Sequence, residues 1–571
     1  MYRTSHLRRI FWCPIGILLL TAGVHAEGFG DYKPLAVYTE RVSQSIYVTM
    51  RDGVKIAVRI DRPVQNGVAI SQPLPVIWHG TLSIEGGAAP NGGGLNDVPT
   101  LTRFGYVVVQ VARRGNGQSF GLRRGYNDRN ETDDAYELTE WFAAQPWSNG
   151  VVGIYGCSNT GDAAMHAMES RPPHLKAVFA GCFSWSKYDA WRRGGIFAQW
   201  GTGPQRTVEQ DIAVKPVDGD ENKVLLRQAA EEHQQSTVLY EMWRGLPYRD
   251  STSPLVQSRF WSEGSVGSFA PQLRQGGVPL YILGGWHDEL RDQGIITMLN
   301  VPNSRIIIGP WKHCLNDGFA LFEEIHRFFD TYLKNASTHL AEEPRVHYFT
   351  MQGPSGGQWQ SATAWPPPAT QNVSLNLRGH ALTTKPAERL SQVSFSVSDK
   401  VSCPGSDMGP YMQPCHVAGE GASFQGEALK RDLTITGNPV AHLHISADKP
   451  DADVFGYLED VAPDGTVYVV TEGRLKASLR ATAISPFTVP GTPWHRAYKE
   501  DARPLTSGER VLLDFDLMPT SYVFARGHHV QLTVTGIDFR QRDRDQSLNG
   551  EHIVVYSGKE PDSKLSLPVQ P

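Results

Sequence analysis

The chain has little cysteine, no strong charge bias and no long apolar run beyond its first few tens of residues, and each shortage closes off a class of function. Its formal net charge is only -5 and no basic run exceeds a few residues, which argues against nucleic acid or an anionic membrane surface as the main partner. No His/Cys/Asp/Glu cluster has the spacing of a zinc or calcium site, and no phosphate-binding glycine loop precedes a helix. No cofactor and no metal are therefore expected. There is no internal repeat, and the sequence says nothing of oligomeric state.

What is present is the composition of an ordinary globular protein, 40% hydrophobic and 20% charged. At 571 residues it is too long for one hydrophobic core, so two or three domains are expected. The 56 glycines and 38 prolines imply many turns and a large β component. The N-terminus reads as an export signal. Arg3, Arg8 and Arg9 precede an uncharged apolar stretch from Ile10 to Val24, and Val24-His25-Ala26 offers a cleavage site before Glu27. At about 15 residues that stretch is short for a membrane span. The expected mature chain is periplasmic or secreted, with no membrane span, and keeps Cys157, Cys182, Cys314, Cys403 and Cys415 in a compartment that permits disulfides.

From about residue 40 to 185, short apolar strands alternate with amphipathic helices. Val76-Ile77-Trp78, Tyr106 to Val111, Val151 to Tyr155 and Lys176 to Cys182 read as strands. Thr132 to Gln145 and Asn159 to Glu169 read as helices, the first with Ala135, Leu138, Trp141 and Phe142 at helical spacing before Pro146. This order predicts a parallel sheet covered on both faces. Residues 190–270 break the rhythm with a charged helical stretch, Asn222 to Met242, and aromatic turns, and read as a helical cap inserted into the core. The α/β pattern resumes over 271–340 with strands at Pro279 to Leu283 and Arg305 to Ile308 and a helix from Leu321 to Lys334. Beyond 340, strands such as Val373 to Leu377, Ala441 to Ser446, Thr466 to Thr471, Arg510 to Leu517 and His529 to Thr535 predict a β-sandwich or jelly roll over 341–571.

Gly156-Cys157-Ser158-Asn159-Thr160-Gly161 lies directly after a strand and before a helix, the setting of a nucleophile elbow. The second glycine stands one residue later than in the usual G-x-S-x-G. A serine hydroxyl needs a base to take its proton and an acid to fix that base's tautomer. In α/β-hydrolases both follow the serine, acid first, on loops after later strands. Asp288 in Gly284-Gly285-Trp286-His287-Asp288 and His313 in Gly309-Pro310-Trp311-Lys312-His313 satisfy that order. An α/β-hydrolase core over 27–189 and 271–340 is therefore expected, with Ser158, Asp288 and His313 as nucleophile, acid and base. His79, His166 and His287 read as structural, Gly92-Gly93-Gly94 as a loop, and Trp185, Trp200 and Trp286 as lining the cleft between core and cap.

With these motifs the chain resembles the cocaine esterase and X-Pro dipeptidyl-peptidase-like hydrolases. The resemblance extends through Arg51-Asp52-Gly53-Val54, through Glu140-Trp141-Phe142-Ala143-Ala144-Gln145-Pro146-Trp147-Ser148-Asn149-Gly150, and to Pro463-Asp464-Gly465, so it spans most of the mature chain. It implies an α/β core, a helical cap before the acid, a C-terminal jelly roll, and acyl transfer to water on a small-molecule ester, an amide or a peptide. Two features depart from it. The loop after the first core strand, Trp78-His79-Gly80-Thr81-Leu82-Ser83, lacks the family's oxyanion tyrosine, leaving the backbone N–H of Asn159 and one near Thr81 as expected donors. Ala112-Arg113-Arg114-Gly115 stands where the family commonly has an aspartate two residues before the Arg-Gly pair. Three readings remain open: an esterase or acylase, a peptidase releasing dipeptides that end in proline, and an inert carbohydrate-binding or structural protein.

Cys157 precedes the serine and Cys314 follows the histidine. Because a base must approach its nucleophile, the two cysteines are expected near the Cα separation of about 4.4–6.8 Å that a disulfide needs. The same adjacency resembles that of the glucuronoyl esterases. Cys157–Cys314 is the expected bridge, with Cys182 the competing partner of Cys157, and Cys403–Cys415 a second bridge in the jelly roll.

Overall fold

The computed structural model describes residues 28–84, 93–125, 127–197, 206–385, 389–401, 416–541, 544–558 and 562–571. The expected signal segment, Trp200, Cys403 and Cys415 lie outside the described residues. Strands β1 (Glu40–Thr49), β2 (Lys55–Gln65), β3 (Val68–Ala69), β4 (Leu74–Thr81) and β5 (Val107–Ala112) are followed by helix α1 (Arg129–Ala143), β6 (Ser148–Cys157), α2 (Asn159–Ser170) and β7 (Leu175–Gly181). After an inserted helical segment come β8 (Leu280–Gly285), α9 (Arg291–Asn300), β9 (Ser304–Gly309), α10 (Leu321–Leu333), β10 (Val346–Gln352) and β11 (Gly356–Ala362).

The pairings give the order β1-β2-β5-β4-β6-β7-β8-β9-β10-β11, parallel from β5 to β10 and antiparallel at both edges. Alternate side chains of each parallel strand go to opposite faces. Val76, Trp78, Ile306 and Ile308 join Leu138, Phe142, Met165 and Met168 of α1 and α2 on one face. Ile77, Tyr155 and Ile307 join Phe328 and Phe329 of α10 on the other. The near-continuous Val/Ile runs follow from this double covering. This is the α/β-hydrolase core that the pattern predicts. It takes two more strands than expected, because β10 and β11 lie past residue 340 yet extend the core sheet through Val346↔Ile306.

The insertion carries α3 (Lys187–Arg192), α4 (Val208–Asp211), α5 (Val224–His233), α6 (Leu239–Arg244), α7 (Phe260–Glu263) and α8 (Ala270–Gly276). It has an aromatic core of its own, in which Trp191 stacks on Trp243 at 4.5 Å beside Tyr188, Phe260 and Trp261. The expected helix from Asn222 to Met242 is two helices, since α5 ends at His233 and residues 234–238 form a turn before α6. The Gly92–Gly94 loop is also corrected in part: Gly93 opens a 3-10 run to Phe104.

The C-terminal region is strand-rich and mainly antiparallel, with a parallel pairing at Ala381↔Gln425. Asp453–Val461 pairs with Val467–Lys476 and His529–Thr535, while Val440–Ala447 pairs with Val511–Asp516 and His552–Ser557. Residues of both groups, such as Val454, Leu458, Leu443 and Leu513, share one apolar core.

Candidate active site

Ser158 occupies the turn between β6 and α2 with φ 65° and ψ -133°, a conformation a non-glycine residue holds only when its surroundings enforce it. Those surroundings are explicit. A Cβ on Gly156 would lie 2.1 Å from the Thr160 carbonyl oxygen, and one on Gly161 would lie 2.3 Å from that of Gly181. The Thr160 hydroxyl closes the turn by accepting the Cys157 N–H at 2.9 Å and donating to the Cys157 carbonyl at 2.8 Å. Threonine thus fills the place where glycine usually stands, and the demand for a bare Cα moves to Gly161, where α2 crosses β7. Asn159 is the first residue of α2, so its N–H has no partner within the helix.

Arg113 braces the elbow from behind, a role the sequence did not disclose. Its guanidinium donates to the Asn159 side-chain oxygen at 3.2 Å and to its carbonyl at 3.3 Å, and is held by Asn127 at 2.7 Å and Glu131 at 3.1 Å. Arg113, between Ala112 where the family's aspartate is missing and the Arg114-Gly115 pair, is therefore a buried anchor. Thr81 ends β4, and its carbonyl accepts the Arg113 N–H at 2.9 Å.

Asp288 and His313 meet at the ends of β8 and β9: Nδ1–H of His313 donates to Oδ2 of Asp288 at 3.0 Å. The two loops are laced by backbone bonds from Trp286 N–H to Gly309 and from His287 N–H to Trp311, both 2.9 Å. A Cβ on Gly285 would sit 2.4 Å from the Trp311 carbonyl oxygen, so this approach requires glycine there. Burial pushes the Asp288 carboxyl up, but the imidazole beside it and hydrogen bonds from His313, Cys182 and the Leu290 N–H outweigh that and hold it below the ordinary range. It is a carboxylate built to stay charged and to fix Nδ1 as the protonated nitrogen of the ring.

A disulfide joins Cys157 to Cys314, with the Cα atoms 6.0 Å apart. It ties the residue before Ser158 to the residue after His313, holding nucleophile and base loops together. Cys182 is a free, buried cysteine. The ligand atoms of Cys157, Cys182 and Cys314 lie within 4.8 Å of one another, as do those of Cys182, Asp288 and His313. Linear spacing did not reveal these sets, though two of the cysteines are consumed by the bridge and the acid and base bind each other. Non-reducing peptide mapping should return one cross-linked peptide containing Cys157 and Cys314; alkylation of both as free thiols would refute the bridge. It closes a span of 157 residues, so replacing both cysteines by serine should lower stability by up to roughly 5 kcal/mol in denaturant titration.

The acid loop is also held by the C-terminal region. Arg291 donates to the Asp288 carbonyl at 2.8 Å and to Glu472, on the strand Val467–Lys476, at 2.9 Å. Arg540 joins Glu289 at 2.8 Å to Glu472 at 3.3 Å and to Asp538 at 2.8 Å. All these groups are buried. Removing the shared carboxylate with Glu472→Ala takes the ion-pair partner from the buried Arg291, while Arg540 keeps Glu289 and Asp538, so a loss of about 3–5 kcal/mol is expected, together with a fall in kcat. Urea titration beside kinetics checks this, and a stability change below 1 kcal/mol would show the network to be incidental (roughly the worth of an exposed pair).

The remaining conspicuous residues are structural. His79 stacks on Tyr155 and its Nδ1 lies 3.1 Å from the Tyr155 carbonyl; burial pushes its pKa down to about 4. Burial and Arg291 push His287 down to about 4 as well, while His166 pairs with Glu169 at 3.1 Å. Trp185 packs edge-on against Phe487, and Trp286 packs on Trp365 and donates to the Phe349 carbonyl at 2.6 Å. Both tryptophans join the core to the C-terminal region, where the sequence pattern had set them along the cleft under the cap.

A serine on a strained strand–helix elbow, an Asp–His pair on later loops of the same parallel sheet and the matching fold define a serine hydrolase of the α/β type. Residues 52–315 match the X-Pro dipeptidyl-peptidase (S15 family), and residues 338–559 match the X-Pro dipeptidyl-peptidase C-terminal non-catalytic domain. The chain belongs to the cocaine esterase and X-Pro dipeptidyl-peptidase-like α/β-hydrolases. It is 29% identical to a protein named as a serine esterase in Mycobacterium bovis, over 92% of this chain and 95% of that one. It is 25% identical to the cocaine esterase of a Rhodococcus species, over 89% and 93% of the two chains. Among solved structures, a CocE/NonD family hydrolase from Staphylococcus aureus superposes with a TM-score of 0.74 at 21% identity, covering 93% of this chain and 94% of that one. An α-amino acid ester hydrolase gives 0.68 at 19%, covering 97% and 100%.

Proposed function

We propose that this chain is an exported carboxylic ester hydrolase that works through an acyl-enzyme on Ser158. The observation that supports it best is the 3.0 Å bond between His313 Nδ1 and the buried Asp288 carboxylate, beside a nucleophile loop bridged to the base loop. In the first step the Ser158 oxygen attacks the ester carbonyl carbon while Nε2 of His313 takes the hydroxyl proton. The tetrahedral oxyanion collapses, the C–O bond to the leaving group breaks, and His313 returns the proton to the departing alkoxide. Water then repeats the sequence on the acyl-enzyme, with His313 as base again, and releases the acid.

The Asn159 N–H is the first oxyanion donor in this reading. The second donor in this reading is a backbone N–H near Thr81, where β4 ends between β5 and β6, the strand that leads to the elbow. Export is supported by the N-terminal segment and by a disulfide that needs an oxidising compartment.

The S15 match keeps dipeptide release as a second reading. Such a peptidase must hold a free α-amine with an acid. Glu289, the carboxylate beside Asp288 in the chain, is already engaged by Arg540 at 2.8 Å and approached by Arg474 at 3.9 Å, which favours the esterase. Turnover of p-nitrophenyl esters, aminoacyl esters and Xaa-Pro anilides separates the readings. Esters should be cleaved with the highest kcat/KM, and preference for the anilides would reverse the order. Absence of labelling by a fluorophosphonate probe would leave the inert binding or structural protein.

A further inference from the structure

The third cysteine of the cluster has no place in the mechanism so far. Cys182 follows β7, the strand between β6, which ends in the elbow, and β8, which leads to the acid. The sheet therefore delivers Ser158, Cys182 and Asp288 at the ends of three consecutive strands. The backbone at Cys182 is left-handed, φ 49°, and so is that of Ser158 at 65° and of Cys314 at 57°. Strain of this kind in a non-glycine residue persists only where the surroundings enforce it, and it gathers at functional sites. The Cys182 N–H donates to the Leu283 carbonyl at 3.2 Å, anchoring it to β8. Its sulfur accepts the Cys314 N–H at 3.4 Å, and its thiol hydrogen-bonds the Asp288 carboxylate.

We propose that Cys182 is a positioning residue for the catalytic acid, donating its S–H to the Asp288 carboxylate while its sulfur receives the N–H of the base loop. The inference rests on the reading of Asp288 and His313 as acid and base. A thiol is a weak donor, but its acceptor here is a buried charge, which strengthens the bond. One side chain thereby touches both loops and sets where the carboxylate stands relative to the imidazole. The alternative role, attack on the neighbouring disulfide, requires a thiolate. Burial, and then the Asp288 charge, push this thiol well above its ordinary range. Cys182 therefore stays protonated as a donor, and the Cys157–Cys314 bridge is not exchanged.

The test compares Cys182→Ala and Cys182→Ser with the wild-type chain on a p-nitrophenyl ester. Losing one hydrogen bond to a charged group should lower kcat on the order of tenfold with KM unchanged. The acidic limb of the kcat/KM profile should move to higher pH, because the unshared carboxylate holds the protonated base more strongly. A hydroxyl replaces the donor, so Cys182→Ser should recover kcat to within about threefold and return the limb to its wild-type position. Wild-type kcat and an unmoved limb in Cys182→Ala would overturn the proposal. So would a loss that serine fails to restore in two folded variants. If Cys182→Ala does not fold, Cys182→Ser decides alone, and a loss beyond about tenfold with a displaced limb counts against it. Ser158→Ala separates the two levels. If it stays active, the underlying mechanism fails; if it is inactive beside an unchanged Cys182→Ala, only this inference does.

Discussion

Ser158→Ala should lower kcat by roughly 10⁶-fold, about 8 kcal/mol of transition-state stabilisation, while the thermal melt stays in place. The size follows from the chemistry: an acyl-enzyme needs a nucleophile, and the elbow presents one serine to the base. The backbone at 158 is strained whichever of the two side chains it bears, since φ is 65° in a turn enforced by Gly156, Thr160 and Gly161. Folding therefore has little reason to change. His313→Ala should be equally severe, and the double variant no worse than either single one, because members of such a unit fail together. Residual ester turnover above a few percent in Ser158→Ala, with contaminating esterase excluded by active-site titration, would place the nucleophile elsewhere.

The second large effect is at the acid. Asp288→Asn keeps the size of the side chain but presents an amide to Nδ1 of His313, and the ring then settles in the tautomer that cannot take the serine proton. A fall in kcat of about 10⁴-fold is expected, with KM little changed. The structure adds a reason for the severity. Asp288 is buried and kept charged by the imidazole and by hydrogen bonds from His313, Cys182 and the Leu290 N–H, and a neutral amide cannot take the place of that charge. Steady-state kinetics on a chromogenic ester reads the effect directly, and a loss smaller than tenfold would remove Asp288 from the triad.

Much of this protein is legible in its amino-acid sequence. The parallel sheet follows from Val/Ile runs separated by helical periodicity, and the swap of β4 and β5 in the strand order changes none of the faces those residues occupy. The Asp288–His313 contact and the Cys157–Cys314 bridge are likewise legible there, because each residue sits in a glycine-marked loop directly after a strand. Helix boundaries inside the insertion are not. The stretch over Asn222–Met242 has the charge of one solvated helix, yet packing of Trp191 on Trp243 and of α5 on α4 sets a turn over residues 234–238. Trp185 and Trp286 look like cleft residues in a linear reading, since nothing local shows that Phe487 and Trp365 arrive from far along the chain to cover them.

Near neighbours along the chain settle the local matters: which segments are strands and helices, where the chain turns sharply enough for a nucleophile, and which residue types can do acyl chemistry. These depend on periodicity, on bare glycine positions and on side-chain chemistry, all properties of near neighbours. Packing in three dimensions is what makes Arg113 brace the elbow, brings Glu472 and Arg540 to the acid loop from the C-terminal region, and sets Cys182 between acid and bridge. Each of those contacts joins residues tens to hundreds of positions apart. Their partners are charged or polar groups whose burial is tolerable only because the fold pairs them, and pairing of that kind leaves no periodic mark on the chain.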